Sequence, residues 1–582
     1  MLDLNSLFDE AFYLSQNRDV ASAISRGVFS SGFEHYRQIG QLEGRQPSAL
    51  YNELYYLSAY ADVAAAVSNR QITGIEHYIK FGQFEGRNAS LLFNENYYLQ
   101  KNSDLRTFVE RDELTGIEHF VKLGQREGRN PSAFFNNSYY LANNPDVAAA
   151  VNRNAISGFQ HFVRFGQLEG RNPTSLYDNS DYLGKNSDVA AAVARDEITG
   201  IQHYIKFGAA EKRPFTPQIQ SALETVQILD LDEPPTGTIP GDADDPAIYV
   251  HPSNSSLSLV ITTLKDGGMH VYDLNGQLLQ SILPGRVRYN NVDLLTGFSL
   301  GGRSVDLAVA SDRRNDTLAI FRINPDTRRL ENLTVTNTIF TPVGQSSNGE
   351  TTAYGLGTYR SPISGKTYVF VSRRETGEVA QIELSDNGSG QIIATKVRTL
   401  NLPTPSGGEL EDAQVEGMVA DRDLGFLYVG QENVGIWKFA AEVGGSNTGT
   451  LIYPVKPNGN TLEADVEGLT IYYGKNGTGY LLASSQGNNT FAIYDRQGNN
   501  SYLGSFAIAK SGNIDSVQES DGADVVSVPV GSQYPYGLLV VQDGFDDPLL
   551  LVEDEGELEN VTSNFKFIPW ENVANAFPLA IG

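Results

Sequence analysis

The chain has 582 residues, too many for one ordinary core, so two or more domains are expected. It contains no cysteine, which excludes disulfides, thiolate zinc sites and a cysteine nucleophile. No apolar run approaches the ~20 residues that span a bilayer, and a formal net charge of -27 argues against a nucleic-acid partner.

The opening MLDLNSLFDEAFYL has neither a basic n-region nor an apolar h-region, so no signal peptide is expected. Residues 1–213 carry 21 Lys+Arg against 25 Asp+Glu, a net of -4, whereas residues 214–582 carry 22 against 45, a net of -23. Such an acidic second half serves solubility or binds cations.

Residues 8–213 are five copies of one unit, starting at Phe8, Tyr51, Phe93, Phe135 and Tyr177, almost always 42 residues apart. A fixed period of this size predicts a repeat array. Asn and Asp before VAAAV suit a helix N-cap, the glycines of FGQLEGR suit a helix end, and Phe159, Phe162 and Val163 have helical spacing. Residues 1–213 are therefore expected to be all-α. Five of the seven histidines, His35, His77, His119, His161 and His203, occupy one repeat position. A metal site needs several ligands at one point, so these read as structural.

Residues 214–224 read as a linker. Beyond it the helical period disappears, and short strands with Gly, Asn and Asp turns take over. Six hydrophobic runs end on a polar residue: SLVITTLK, VDLAVASDRR, TYVFVSRRE, GFLYVGQEN, GYLLASSQGN and GLLVVQDG. Their ends fall near Lys265, Arg313, Glu375, Glu432, Gln486 and Asp543, a blade-like interval. A second set, DDPAIYVH, NVDLLTGF, AYGLGTYR, VEGMVAD, VEGLTIYY and DGADVVSV, precedes them and opens on Asp245, Asp293, Tyr354, Glu416, Glu467 and Asp521.

Radial four-stranded blades around a channel accommodate both sets. The innermost strands start at one end of the channel, and each antiparallel second strand finishes there. The two polar sets thus converge on one mouth. At least five carboxylates at one face repel each other unless a cation joins them. Calcium is the natural partner, with roughly six to eight oxygen ligands in flexible geometry. NIDSVQESDGADV does not follow the helix-loop-helix calcium pattern, so any site is assembled from separate loops.

The segments DADDPAIYVHP, NNVDLLTGF, VDLAVASDRR, VEGMVADRDLGFLYVGQENVGIWKF, DVEGLTIYYG, GYLLASSQGNNTFAIYDRQG and DGADV, with the tail FKFIPWENVANAF, resemble β-propeller phytases from about residue 225 onward. The resemblance implies an all-β six-bladed propeller over 225–582 that hydrolyses phosphomonoesters of myo-inositol hexakisphosphate (phytate) or other inositol phosphates, using several calcium ions. It implies calcium ligands at Asp244, Asp245, Asp293, Glu416, Glu432, Glu467, Gln486, Asp515, Asp521 and Asp543. It implies a catalytic and phosphate-binding set of Lys265, Arg313, Tyr354, Arg374 and Glu375 together with Glu416, Glu432 and Glu467. Asn291 and Asp293 keep the family's NNVD signature. Two departures stand out: Asp266 occupies the place of a frequent second lysine, and Arg374 and Glu375 replace a lysine-glutamate pair with a one-residue length difference that leaves Arg373 as a rival.

The repeats lie outside that resemblance. They are similar to tandem repeats of exported bacterial proteins, which implies attachment to a surface or protein partner and an extracellular or cell-surface location. His251 and His270 read as structural. The rival to an enzyme is a non-catalytic calcium-binding propeller in an adhesion protein; retention of Lys265, Arg313 and Tyr354 beside the carboxylates favours the enzyme.

Overall fold

The computed structural model describes residues 2–579 apart from 112–113, 212, 232–238, 335–336, 348, 555–556 and 578. The chain divides into two units, Met1–Gln218 and Ile219–Gly582. The first is helical and the second is a six-bladed β-propeller.

Each repeat contributes helices such as Asn137–Ala142, Pro145–Asn152 and Gly158–His161, the last running into a π-helical turn, Phe162–Gly166. The histidines bond inside their own repeats. Nδ1 of His35, His77, His119, His161 and His203 lies 2.8–3.0 Å from the hydroxyls of Tyr13, Tyr56, Tyr98, Tyr140 and Tyr182. The glycine five residues after each histidine is required by the same tyrosine: a Cβ on Gly166 would lie 2.1 Å from the Tyr140 hydroxyl. Asp9 pairs with Arg164 at 3.3 Å, and Asn52 Nδ2 donates to Ile205 O and Lys206 O at 3.4 and 3.1 Å. Repeat one thus packs on repeat four and repeat two on repeat five, which defines a superhelix with three repeats per turn.

In the propeller, blades one to four, and blade five apart from its outermost strand, are antiparallel sheets whose strands follow chain order. Their inner strands are Ala243–Tyr249, Tyr289–Leu300, Ala353–Arg360, Val415–Asp421 and Val466–Tyr473; the sixth is Ala523–Val526. Between adjacent blades lie dry clusters, for example Ala308, Ala310 and Phe321 of blade two against Ala247, Tyr249 and Ile261 of blade one.

Blade six is built from both ends of the segment. Its third strand, Thr562–Pro569, pairs along its outer edge with Ile228–Leu229 and Leu223–Glu224. This closes the ring. Residues 214–224 are more than a tether: Gln218–Gln220 adds an outer strand to blade five, and Leu223–Glu224 belongs to blade six. A two- or three-residue strand carries too little alternation to be recognised in a sequence.

Candidate active site at the mouth of the propeller

Five inner strands slip register where they enter the channel. The shifts fall between Ala243 and Pro246, Ala353 and Leu356, Val415 and Met418, and Val466 and Leu469, and in blade two opposite Ala310 and Asp312. The bulged residues are Asp244 and Asp245, Tyr354, Glu416, Glu467, and Asn290 and Asn291. A bulge leaves a residue out of the ladder and re-aims its side chain, and here it brings Asn290, Tyr354, Glu416 and Glu467 together.

The glycine after each site residue has its own cause. A Cβ on Gly355 would lie 2.0 Å from Glu416 O, one on Gly417 1.9 Å from Glu467 O, and one on Gly522 2.6 Å from Asp245 Cα. Only glycine lets neighbouring inner strands approach so closely. Serines of the second strands then fix the next blade: Ser311 Oγ donates to Tyr354 O, Ser372 Oγ to Val415 O at 2.6 Å and Ser484 Oγ to Ser520 O at 2.7 Å.

Carboxylate oxygens of Glu416, Glu432 and Glu467 lie within 4.8 Å of one another, all buried. Tyr354 and Asn290 donate to Glu416, and Gln414 Nε2 donates to both oxygens of Glu432 at 2.9 and 3.1 Å. Glu467 Oε2 and both oxygens of Asp244 are buried without a hydrogen-bond partner. Burial, and then the neighbouring Glu416 charge, pushes Glu432 up to about 8. Burial raises Glu467 well above the usual carboxylate range, with Glu416 and Glu432 adding to it. Burial likewise raises Asp244, against the opposing charge of Lys265. Asp521 is held by Lys265 Nζ at 2.8 Å and Gln486 Nε2 at 2.6 Å. An all-oxygen set with buried, unpartnered acceptors suits a hard cation.

Cationic groups face this set. Arg313 sits over the Tyr354 ring at 5.8 Å, and its Nη1 reaches Asn290 Oδ1 at 3.4 Å. Arg374 contacts Glu375 at 2.7 Å and Glu350 at 3.0 Å. Arg373 points elsewhere: it donates to Thr351 O and meets Glu378 at 3.4 Å, under Phe340. The length difference in blade three therefore leaves Arg374 at the mouth.

Four expected metal ligands lie apart from this cluster. Asp293 accepts from Thr358 N and Oγ1 at 2.7 and 2.9 Å and from Leu294 N at 2.6 Å, which makes it a latch between blades two and three. Asp245 has one oxygen on Val292 N at 3.0 Å, a similar latch between blades one and two. Asp515 and Asp543 surround buried Lys566 with Glu224 and Asp546; Nζ lies 3.0 Å from Asp543, 2.6 Å from Glu224 and 3.2 Å from Asp546, and it also contacts Asp515. Oxygens of Glu224, Asp515 and Asp546 come within 4.8 Å of each other, a second acidic centre. Burial pushes Asp543 up to about 6 and Asp546 up to about 7, against the Lys566 charge. Sequence reasoning missed Asn290, Gln414, Glu224, Asp546 and Lys566. Of these only Asn290 left a trace, as the first residue of NNVD.

The histidines are elsewhere engaged. His251 Nδ1 accepts from Ser253 N and Asn254 N in a turn, and His270 Nδ1 lies 3.1 Å from the Tyr272 hydroxyl inside blade one.

A six-bladed propeller with buried carboxylates and guanidinium groups at one mouth has the parts of a metal-assisted phosphoryl-transfer enzyme. A sequence model of the phytase family matches residues 216–580. Over 334 residues the chain is 40% identical to the 3-phytase of Bacillus subtilis (strain 168), covering 57% of this chain and 80% of that protein. The chain belongs to the phytase family and is a phosphomonoesterase, which sets aside the non-catalytic propeller. Solved structures similar to it include a DUF4623 family protein from Bacteroides eggerthii, 12% identical with a TM-score of 0.33, covering 56% of this chain and 70% of that one. The β-propeller domain of Cps50 (Swd1) from Myceliophteria thermophila is 11% identical with a TM-score of 0.31, covering 56% and 82%. Likenesses this loose carry no functional argument.

Proposed function

We propose that this enzyme hydrolyses phosphomonoesters of phytate in a calcium-dependent reaction that releases inorganic phosphate. The observation that carries the reading is the pairing at one mouth of unpartnered carboxylate oxygens, on Asp244 and Glu467, with the cations Lys265, Arg313 and Arg374.

Phytate is a dense polyanion, and residues 214–582 carry a net charge of -23, so direct association is repulsive. Calcium held by Asp244, Glu416, Glu432, Glu467 and Asp521 would invert the local sign, polarise the scissile phosphate and lower the pKa of a water. The Glu224, Asp515, Asp543 and Asp546 group suits a further ion that strengthens ring closure.

The chain's own groups do the rest. Arg313, Lys265 and Arg374 hold phosphate oxygens, guanidinium groups bidentately. Tyr354 and Asn290 fix the Glu416 carboxylate, and Gln414 fixes Glu432, so the cluster keeps its shape as substrate arrives. The carboxylates orient the attacking water and accept its proton. The water oxygen bonds to phosphorus as the bond from phosphorus to the inositol oxygen breaks, and the proton taken up by the carboxylates passes to that leaving oxygen. Resemblance of the repeats to those of exported proteins supports an extracellular role, with the repeats as attachment module.

The test is phosphate release from phytate after chelation and after calcium is restored. Loss and recovery are expected; full activity in excess chelator rejects the reading.

A further inference from the structure

Where repeat one packs on repeats three and four, the helical unit forms a cavity of about 460 Å³. Leu7, Phe8 and Phe159 give it apolar walls, and Asp9, Gln125 and Arg164 give it polar ones. The next contact along the superhelix, repeat two on repeat five, uses the same repeat positions, yet its gap is only about 20 Å³. Two side chains account for the difference. Asn52 closes the smaller gap by donating to Ile205 O and Lys206 O at 3.4 and 3.1 Å. Asp9 holds the same position in repeat one, and a carboxylate has no proton to donate. In the smaller gap Gln167 folds back to donate to Val163 O at 2.5 Å, as Gln41 and Gln83 donate to Arg37 O and Ile79 O in their own repeats. Gln125, their counterpart at the cavity, makes no such bond among the described residues.

The cavity wall carries unused hydrogen-bonding capacity of both kinds. Arg164 Nε is buried without a partner, while Nη2 reaches Asp9 Oδ2 at 3.3 Å. Asp9 Oδ1 accepts from Phe12 N at 3.0 Å, and each of its oxygens keeps a second lone pair. The Gln125 amide offers donors and an acceptor. Glu10, also in the wall, is committed to Gly32 N and Phe33 N at 2.6 and 3.0 Å. A charged ligand meets opposition either way, since Asp9 repels an anion and Arg164 repels a cation. A neutral polyhydroxyl ring meets none: each hydroxyl both donates and accepts, and its C–H face suits the apolar wall of Phe8 and Phe159.

We propose that this cavity binds a neutral mono- or disaccharide unit. The site goes beyond phytate hydrolysis. It rests on the attachment reading of the repeats for its role, and gives that reading a chemical target, the sugar end of a surface polysaccharide.

The test is calorimetric titration of the full chain, in calcium, with glucose, galactose, N-acetylglucosamine, cellobiose, maltose and maltoheptaose, and with sodium acetate as an anion probe. At least one sugar is expected to bind, and acetate is not. Asp9→Asn installs the donor that closes the gap at Asn52, and Arg164→Lys installs the residue of repeats two, three and five, so both chains should fold. Each should weaken the sugar about tenfold or more, with a melting temperature within a few degrees of wild type and phosphate release from phytate unchanged. Equal binding of maltose and maltoheptaose marks a chain end as the ligand, and loss of the longer sugar marks a free one; both uphold the site. No binding of any of these sugars at about 10 mM, binding of acetate instead, or sugar affinity unchanged in both variants overturns the proposal. Attachment of the chain to cells that survives both substitutions also overturns it, while leaving the attachment reading intact.

Discussion

The hydroxyl of Tyr354 donates to Glu416 Oε2 at 2.6 Å, while Asn290 Nδ2 donates to Glu416 Oε1 at 2.7 Å. Side chains from blades two and three thus clamp a carboxylate of blade four. The clamp fixes the carboxylate plane and leaves each oxygen a free lone pair for a further partner. Tyr354→Phe removes one jaw and little volume. Its kcat on phytate is expected to fall about 10- to 100-fold, with a melting temperature within a few degrees of wild type. Steady-state kinetics and a thermal melt on one preparation check this.

Glu467 and Asp244 are buried with unpartnered oxygens, so each is a liability in the metal-free protein. Glu467→Gln should raise the metal-free melting temperature and abolish most of the calcium-induced gain. Wild-type protein should gain roughly 2.7 kcal/mol at a hundredfold excess of calcium over its dissociation constant. Calorimetric melts with and without calcium distinguish the two chains. A Glu467→Gln chain that gains as much from calcium as wild type would remove Glu467 from the ligand set.

The raised carboxylates also set a pH dependence. Burial, reinforced by Glu416, holds Glu432 at about 8, and Asp244 and Glu467 shift in the same direction. A folded-state pKa above the unfolded value means that the native state binds the extra proton. That stability is fully present below the unfolded value and is lost as pH rises through the folded one. In chelator, stability should therefore decline between about pH 4.5 and about pH 8. Calcium favours the charged form, so its stabilising effect should be largest at the alkaline end. Denaturant melts across this range measure the slope.

Far from the chemistry, Arg496 is fully buried and bonds Asp421 through two contacts at 2.6 Å, with Asp423 at 2.7 Å and the Tyr473 ring 4.4 Å away. It locks blade five to the end of the inner strand of blade four. Arg496→Ala leaves Asp421 buried and uncompensated, which should cost about 3–5 kcal/mol. Phosphate release per folded molecule should stay at the wild-type value.

The ring-closing strands make a prediction about length. A chain beginning at Thr216 keeps Gln218–Gln220, Leu223–Glu224 and Ile228–Leu229 and should fold with full activity. A chain beginning at Leu231 exposes the outer edge of Thr562–Pro569 and loses Glu224 from the Lys566 cluster. It should melt lower and aggregate, as an open sheet edge does. Light scattering and circular dichroism separate the two.

Much of this arrangement was legible in the residues alone. All six inner strands and all six second strands lie where a hydrophobic run meets a polar end, because the channel mouth demands a polar residue there. Which polar residue meets which was less legible. Asp515 and Asp543 join Lys566, Asp546 and Glu224, a group drawn from both ends of the propeller segment, so no local spacing announces it. Asp293 reads in the sequence as a strand opener, as Glu416 does. It falls beyond the bulge, however, and so spends its oxygens on Thr358 of blade three and on its neighbour Leu294. Glu416 owes its direction to a register slip that only the paired strand reveals.

The central claim is that the carboxylates at the mouth hold the cation on which phosphate hydrolysis depends. The most direct measurement is the initial rate of phosphate release from phytate against free calcium, for wild type and Glu467→Gln side by side. The account predicts no release in chelator and a saturable rise for wild type. For Glu467→Gln it predicts a rise shifted to higher calcium, with a limiting rate about 100-fold lower or less. Superimposable curves, or a wild-type rate indifferent to calcium, would contradict it.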